Sequence, residues 1–248
     1  MLLNTQPNSR LALVTGAAKR LGSVTARALH ALGFDVLLHY HTSRAEAEAL
    51  AQELDFDRSG SVALVCADLA DPAAPDSIIE SATRFRARLD LLVNNASVFE
   101  PTALDGLDLA AWERLHAINL RAPTALALRG APLLRRTGGS IVNIVDIHAE
   151  RPRARYVAYC ASKAGLIAVT RVLALELGPE VRVNAVAPGA ILWAESEDAA
   201  LRAATIDATP LARRGEPRDI AEAVCYLAQA RFVSGQVITV DGGRALVS

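Results

Sequence analysis

The chain has 248 residues, of which 52% are hydrophobic and 21% charged, and its formal net charge is −1. Such a balance supplies a sizeable buried core and excludes a disordered chain. No Lys/Arg block stands out, so the electrostatic footprint of a nucleic-acid or anionic-membrane binder is missing, and small molecules or copies of the chain itself are the expected partners.

Short β-type runs alternate with amphipathic stretches of helical length from one end to the other, the pattern of a parallel sheet covered on both faces. The strands expected are 11–15, 35–40, 61–67, 90–95, 140–145, 181–187 and 236–240. Helices are expected at 20–33, 44–55, 74–88, 107–135, 156–178 and 217–229. This predicts an α/β fold: a single Rossmann-type doubly wound domain over 1–248, with a seven-stranded parallel sheet, helices on both faces and right-handed crossovers. Ligands of such sheets bind at the C-terminal strand ends, where strand order reverses. The long piece 189–216 is polar and rich in small residues, and is expected to be an irregular substrate loop or lid.

The first strand runs into TGAAKRLG, Thr15 to Gly22. Strand, glycine turn and helix together aim backbone N–H groups and a helix N-terminus at a pyrophosphate, which makes Gly16, Arg20, Leu21 and Gly22 cofactor candidates. Arg20 stands where a third glycine is expected, and its planar fork of donors suits phosphate or a substrate carbonyl. The second strand ends in HYHTSR, with no carboxylate until Glu46. An acidic residue there would bind the ribose 2′-hydroxyl of NADH; His41, Thr42, Ser43 and Arg44 instead favour the 2′-phosphate of NADPH. Thr42 or Ser43 also suits a helix N-cap. Asp68, after the third strand, is placed to accept from an adenine amino group or to cap a helix. Asn94 and Asn95 close the fourth strand, where buried amides need partners, so a backbone or cofactor role is expected.

The stretch DIHAERPRARYVAYCASK, Asp146 to Lys163, carries the chemistry. On a helix, Tyr159 and Lys163 share one face a turn apart. The ammonium favours the phenolate, so Tyr159 is expected to release its proton more readily than free tyrosine, whose pKa is roughly 10. Asp146 opposes that effect, and the groups are expected to titrate together. His148 is read as a surface or structural residue in preference to a pocket residue, Tyr156 as lacking a Lys partner, and Trp112 and Trp193 as packing or interface residues. Cys66, Cys160 and Cys225 lack metal-ligand spacing and are read as reduced residues at or near the core; no metal is expected. Nothing resembles a signal peptide and no apolar run reads as membrane-spanning, so a cytoplasmic protein is expected.

These motifs together resemble the short-chain dehydrogenase/reductase family over essentially the whole chain. The resemblance rests on TGAAKRLG, Asp68, the NNA of Asn94, Asn95 and Ala96, Asn119 in AINL, Tyr159 with Lys163, and Pro188 with Gly189. It implies an NAD(P)-dependent oxidoreductase with Tyr159 as proton donor, Lys163 lowering its pKa and binding the nicotinamide ribose, and Asn119 holding a water-linked proton path. By the same resemblance Asp68, Leu69, Asn95, Ala96, Pro188 and Gly189 contact the cofactor. The helical stretches 107–135 and 156–178 would form the interface of a homotetramer.

Two departures from the family pattern are Arg20 in the glycine turn and Asp146 where a serine is usual. Both resemble the pteridine reductase branch, as do HYH after the second strand and NNAS followed by Phe99. That resemblance implies a pterin ring stacked on Phe99, with Ser97 and Arg20 contacting cofactor phosphate and substrate. In that branch an Arg often follows HYH; here Thr42 does, leaving the charge to Arg44. An ionised Asp146 cannot donate to a developing alkoxide, and losing one oxyanion donor costs roughly 3–4 kcal/mol. A pteridine instead offers amino and ring N–H donors. The activity expected is NADPH-dependent reduction of a dihydrobiopterin, dihydromonapterin or dihydrofolate type ring to the tetrahydro form. The rival is a carbonyl reductase of the same family acting on a 3-oxoacyl thioester or quinone. A third reading, an inactive nucleotide-binding sensor or scaffold, is opposed by the intact Tyr159, Lys163 and Asn119.

Overall fold

The computed structural model describes residues 9–193 and 198–247. Seven strands, β1 (Arg10–Val14), β2 (Phe34–Tyr40), β3 (Val62–Cys66), β4 (Leu91–Asn94), β5 (Ser140–Ile144), β6 (Arg182–Pro188) and β7 (Val237–Val240), form one sheet in the order β3-β2-β1-β4-β5-β6-β7. Every pairing is parallel. The chain winds outward from β1 to β3, then crosses to β4 and winds the other way, which puts the reversal of strand order between β1 and β4.

Buried parallel strands need apolar side chains on both faces, and β1 supplies them: Leu11, Ala12, Leu13 and Val14 are each fully buried. Successive side chains alternate between two cores. Leu11 and Leu13 join Leu92, Ile141 and Val183 under α3 (Ala74–Arg86) and α5 (Ala122–Thr137). Ala12 and Val14 join Val36, Val93 and Val142 under α1 (Arg20–Ala31), α2 (Arg44–Asp57) and α8 (Pro217–Gln229).

Strand and helix positions agree with expectation to within a few residues, with two corrections. The helix expected at 107–135 is α4 (Leu109–His116), a π-helical turn at Ala117–Arg121, and α5. The piece 189–216, expected to be irregular throughout, contains α7 (Ala199–Asp207), whose N-cap Asp198 accepts from Leu201 N at 2.7 Å. Residues 194–197 of that piece lie outside the described residues.

The helix α6 (Val157–Glu176) is, against expectation, long and apolar enough over its 20 residues to match a membrane span in length and composition. Its apolar character has another use here, since Leu166, Ile167 and Leu173 pack into the sheet's cores. Cys160 is buried and Cys225 half-buried, but Cys66 is exposed, because its strand β3 is an edge of the sheet.

Leu92 is fully buried while Phe56 on α2 is 92% exposed. Leu92→Ala is expected to destabilise by about 2–5 kcal/mol and Phe56→Ala by no more than about 0.5 kcal/mol, read from urea unfolding midpoints.

Candidate active site

The glycine turn is fixed by polar clamps from neighbouring strand ends. Gly16, in the left-handed region at φ +61, donates its N–H to His39 Nδ1 at 3.1 Å, and Ala17 N donates to His39 O at 2.8 Å. Burial pushes the His39 pKa down to about 4. The ring is therefore neutral, with its proton on Nε2 facing Ala67 O at 3.1 Å. His39 thus ties β2, the turn and the end of β3 together, a role that only its place at the close of an apolar strand could have signalled.

Gly22 is required where it stands: a Cβ there would lie 2.2 Å from Gly16 O and 2.7 Å from Asn95 Nδ2. The N-cap of α1 is Lys19, which makes no side-chain capping bond, and the first turn holds no acidic residue. Its leading N–H groups therefore remain available as a donor set at the positive end of a helix, which fits a pyrophosphate. Arg20 has φ +54. That left-handed conformation costs a non-glycine residue roughly 1–2 kcal/mol, which is why glycine is the usual choice there.

At the end of β2, Ser43 takes the N-cap position of α2 without a side-chain bond, and His41 lies 4.0 Å from Asp68 Oδ2. The two glutamates at the start of α2 are already paired, Glu46 with Lys19 at 2.6 Å and Glu48 with Arg44 at 2.7 Å. Asp68 Oδ1 accepts from Ala70 N at 2.9 Å, which closes a turn and caps no helix, since α3 has Ala73 at its N-cap. Leu69 is buried in the core beneath α3, leaving its backbone as the part able to meet a ligand.

Both asparagines of NNA have backbone or packing partners. Asn94 Nδ2 donates across the β4–β5 pairing to Asn143 Oδ1 at 2.8 Å. Asn95 Nδ2 donates to Thr15 O at 2.8 Å, and Thr15 Oγ1 accepts from the N–H groups of Asn95 and Ala96. Asn119 sits in the π-helical turn, fully buried. Its Oδ1 accepts from Val98 N at 2.8 Å and from Ser97 Oγ at 3.2 Å, while Nδ2 donates to Val98 O and Ser162 Oγ. The amide thus brackets the segment carrying Ser97 and Phe99 against α6. A π turn widens the helix locally and is a recurrent feature of functional sites.

Asp146 follows β5. Its Oδ1 caps a 3-10 turn by accepting from His148 N at 2.8 Å, and its Oδ2 accepts from the Tyr159 hydroxyl at 2.8 Å. Asp146 therefore closes this turn and meets the phenol at once. Tyr159 is almost wholly buried. Burial first, then the charge and hydrogen bond of Asp146, raise its pKa well above the ordinary value, while a hydrogen bond with Ser97 opposes them. The sequence-based expectation of a readily released proton is thus reversed: Asp146 touches the hydroxyl, whereas Lys163 Nζ lies 5.8 Å from the ring centroid and donates to Ile144 O at 2.8 Å. Lys163 is completely buried, and burial pulls its pKa down to about 8, with Asp146 pulling it up.

Phe99 stacks on Tyr156 at 4.5 Å and meets Tyr159 edge-on at 4.7 Å. Arg20, Ser97, Phe99, Asp146, Tyr159 and Gly189 line one cleft of about 1120 Å³. Against expectation, His148 and Trp193 line it too, as do Arg244 and Val247 of the C-terminal turn. His148 lies two residues from Asp146 and Trp193 falls within the expected substrate loop, whereas Arg244 and Val247 are brought there by chain folding alone. Tyr156, passed over for lack of a Lys partner, supports Phe99 instead. Pro188 ends β6 beside Val240, and Gly189 N donates to Val240 O at 3.0 Å.

A family model described as enoyl-(acyl carrier protein) reductase matches residues 16–245. Pteridine reductase 1 of Leishmania tarentolae is 34% identical, covering 98% of this chain and 99% of its own. The 3-oxoacyl-[acyl-carrier-protein] reductase of Synechocystis sp. is likewise 34% identical, with the same coverage. The chain belongs to the short-chain dehydrogenase/reductase family. As a member of that family it is an oxidoreductase. Among solved structures, that of FolM alternative dihydrofolate reductase 1 from Brucella canis complexed with NADP superposes with a TM-score of 0.90 at 34% identity, covering 96% of this chain and 95% of that one.

Lys163 generates a pH signature. Between the folded value near 8 and the ordinary value of 10.5, the unfolded chain holds more protons, so stability rises with pH across that window. Tyr159 acts in the opposite sense only above roughly pH 10. Urea unfolding at intervals from pH 8 to pH 10 is expected to show wild type gaining stability relative to Lys163→Met; a constant difference would contradict the lowered Lys163 pKa.

Proposed function

We propose that this short-chain dehydrogenase/reductase is an NADPH-dependent pteridine reductase acting as a single domain over 1–248 on a dihydrobiopterin, dihydromonapterin or dihydrofolate type substrate. The observation that carries the reading is the 2.8 Å bond from the Tyr159 hydroxyl to Asp146 on a cleft also lined by Phe99. A carboxylate with its oxygens turned to acceptor duty suits a substrate rich in N–H donors and opposes one that develops negative charge on oxygen.

NADPH supplies the hydride when bound. The N–H groups at Arg20, Leu21 and Gly22 would hold its pyrophosphate beside the bend at Gly16, whose own N–H is taken by His39, and His41, Thr42 and Ser43 its 2′-phosphate, with Asp68, the Leu69 backbone, Ala96, Pro188 and Gly189 along the rest. Asn95 serves indirectly, by fixing the turn through Thr15. The absence of a carboxylate at the end of β2 supports NADPH, and so does the NADP bound to the Brucella canis relative. Lys163 would hold the nicotinamide ribose.

Phe99 offers an aromatic face, backed by Tyr156, for a planar ring. Asp146 would accept from the amino and ring N–H groups and so orient the ring. As hydride reaches the carbon of the C=N bond, its nitrogen becomes strongly basic. Tyr159, kept protonated by burial and by Asp146, then delivers its proton to that nitrogen. The Lys163 ammonium stabilises the phenolate left behind, and Asn119 holds the Ser97 segment that hydrogen bonds the phenol. A homotetramer and a cytoplasmic location fit this reading.

Purified protein is expected to oxidise NADPH with dihydrobiopterin, dihydromonapterin or dihydrofolate and to stay inactive with acetoacetyl thioesters and quinones; turnover of the carbonyl substrates alone would sink the pteridine reading. Asp146→Ser is expected to lower pteridine turnover by at least about 100-fold. Unchanged turnover would mean that Asp146 does not orient the ring.

A further inference from the structure

The last residues of a domain are poorly ordered unless something ties them down, and here they are tied into the cleft. Past β7, the 3-10 turn Arg244–Leu246 is preceded by two glycines in the left-handed region, Gly242 at φ +65 and Gly243 at φ +85. Asp241 closes this bend, with Oδ1 accepting from Gly243 N at 2.8 Å and Oδ2 from Ala245 N at 2.6 Å. A Cβ on Gly242 would lie 2.8 Å from Thr209 Cγ2, and one on Gly243 3.0 Å from Pro210 Cγ, so the bend sits against the segment that follows α7. Beyond the bend, Arg244 and Val247 line the same cleft as Leu201 and Thr205 of α7.

The far end of the turn is held by Arg151, whose Nη1 donates to both Ala245 O and Val247 O. Arg151 is itself fixed to the loop that starts at Asp146. Its N–H donates to Ile147 O at 2.9 Å, and its carbonyl oxygen meets His148 Nδ1 at 3.1 Å. His148 N in turn donates to Asp146 Oδ1. A path of hydrogen bonds thus runs from the carboxylate that holds Tyr159 to the C-terminal turn, and its last link has a charged donor, the stronger kind.

We infer that Arg151 is a positioning residue that latches the C-terminal turn across the cleft, so that Arg244 and Val247 form a fixed wall of the substrate pocket. The latch stands on these bonds alone, whereas its effect on turnover rests on the pteridine reading. Losing a wall remote from Tyr159 weakens the hold on substrate and leaves the proton transfer itself intact.

Digestion with a carboxypeptidase, followed by mass spectrometry, reads the latch without any substrate. Release of Val247 and Leu246 from Arg151→Gln is expected to be at least about tenfold faster than from wild type. Arg151→Lys, which can still donate to both carbonyls, should stay close to wild type. Equal release from all three would overturn the latch. Steady-state kinetics with saturating NADPH and dihydrobiopterin reads the consequence. Arg151→Gln should raise KM about tenfold, with kcat and the NADPH dissociation constant, read by fluorescence, each within about twofold. A chain ending at Arg244 should show the same rise, and adding Arg151→Gln to it should change KM no further. A further rise would mean that Arg151 meets the substrate itself, and an unchanged KM in Arg151→Gln would mean that the wall takes no part in binding; either overturns the inference. No pteridine turnover would sink the pteridine reading and leave the digestion to decide the latch.

Discussion

The hydrogen bond from Tyr159 to Asp146 is the interaction on which the site turns. It lies in a buried setting, where placing a charge on the phenol is costly and where a carboxylate 2.8 Å away makes it costlier. The phenol is therefore a reservoir that keeps its proton until a stronger base forms beside it. Lys163 supplies the compensating charge, and burial holds its own pKa near 8. Asp146 acts on both, raising the pKa of the phenol and of the ammonium alike.

The fold delivers this unit by controlling strand ends. Asp146 follows β5, the phenol and the ammonium share a face of α6, and Asn119 pins the segment after β4 from a widened helical turn. His39, Thr15 and Asn95 form a second set of clamps that hold the glycine turn to β2 and β4. Each clamp is a neutral side chain bonded to backbone, which fixes geometry without adding charge near the proposed cofactor position. The sheet beneath carries an apolar core on each face, and these polar contacts gather at the rim, where strand order reverses.

Much of this could be read from the chain. The largely apolar strands, the helical stretches between them and the glycine turn are local patterns, and the sheet follows from them. Tyr159 and Lys163 were legible because a helix places positions four apart on one face. What was not legible depended on distances between remote segments. The sign of the Tyr159 shift is the clearest case: sequence spacing places both Asp146 and Lys163 near the phenol, but only the fold shows that Asp146 touches it while Lys163 turns to Ile144 O. Arg244 and Val247 reach the cleft from the distant C-terminal turn. The helix α7 escaped notice because its polar, small-residue sequence, with no buried face, gives little periodic signal.

The central claim is that Asp146 holds Tyr159 in its protonated state. The most direct measurement is a titration of phenolate ultraviolet absorbance, taking the difference between wild type and Tyr159→Phe to isolate this one phenol, repeated in an Asp146→Asn background. Tyr159 should remain protonated well past pH 10 in wild type and ionise at clearly lower pH once the carboxylate is neutralised. Ionisation at or below the ordinary tyrosine value in wild type, unmoved by Asp146→Asn, would contradict the account.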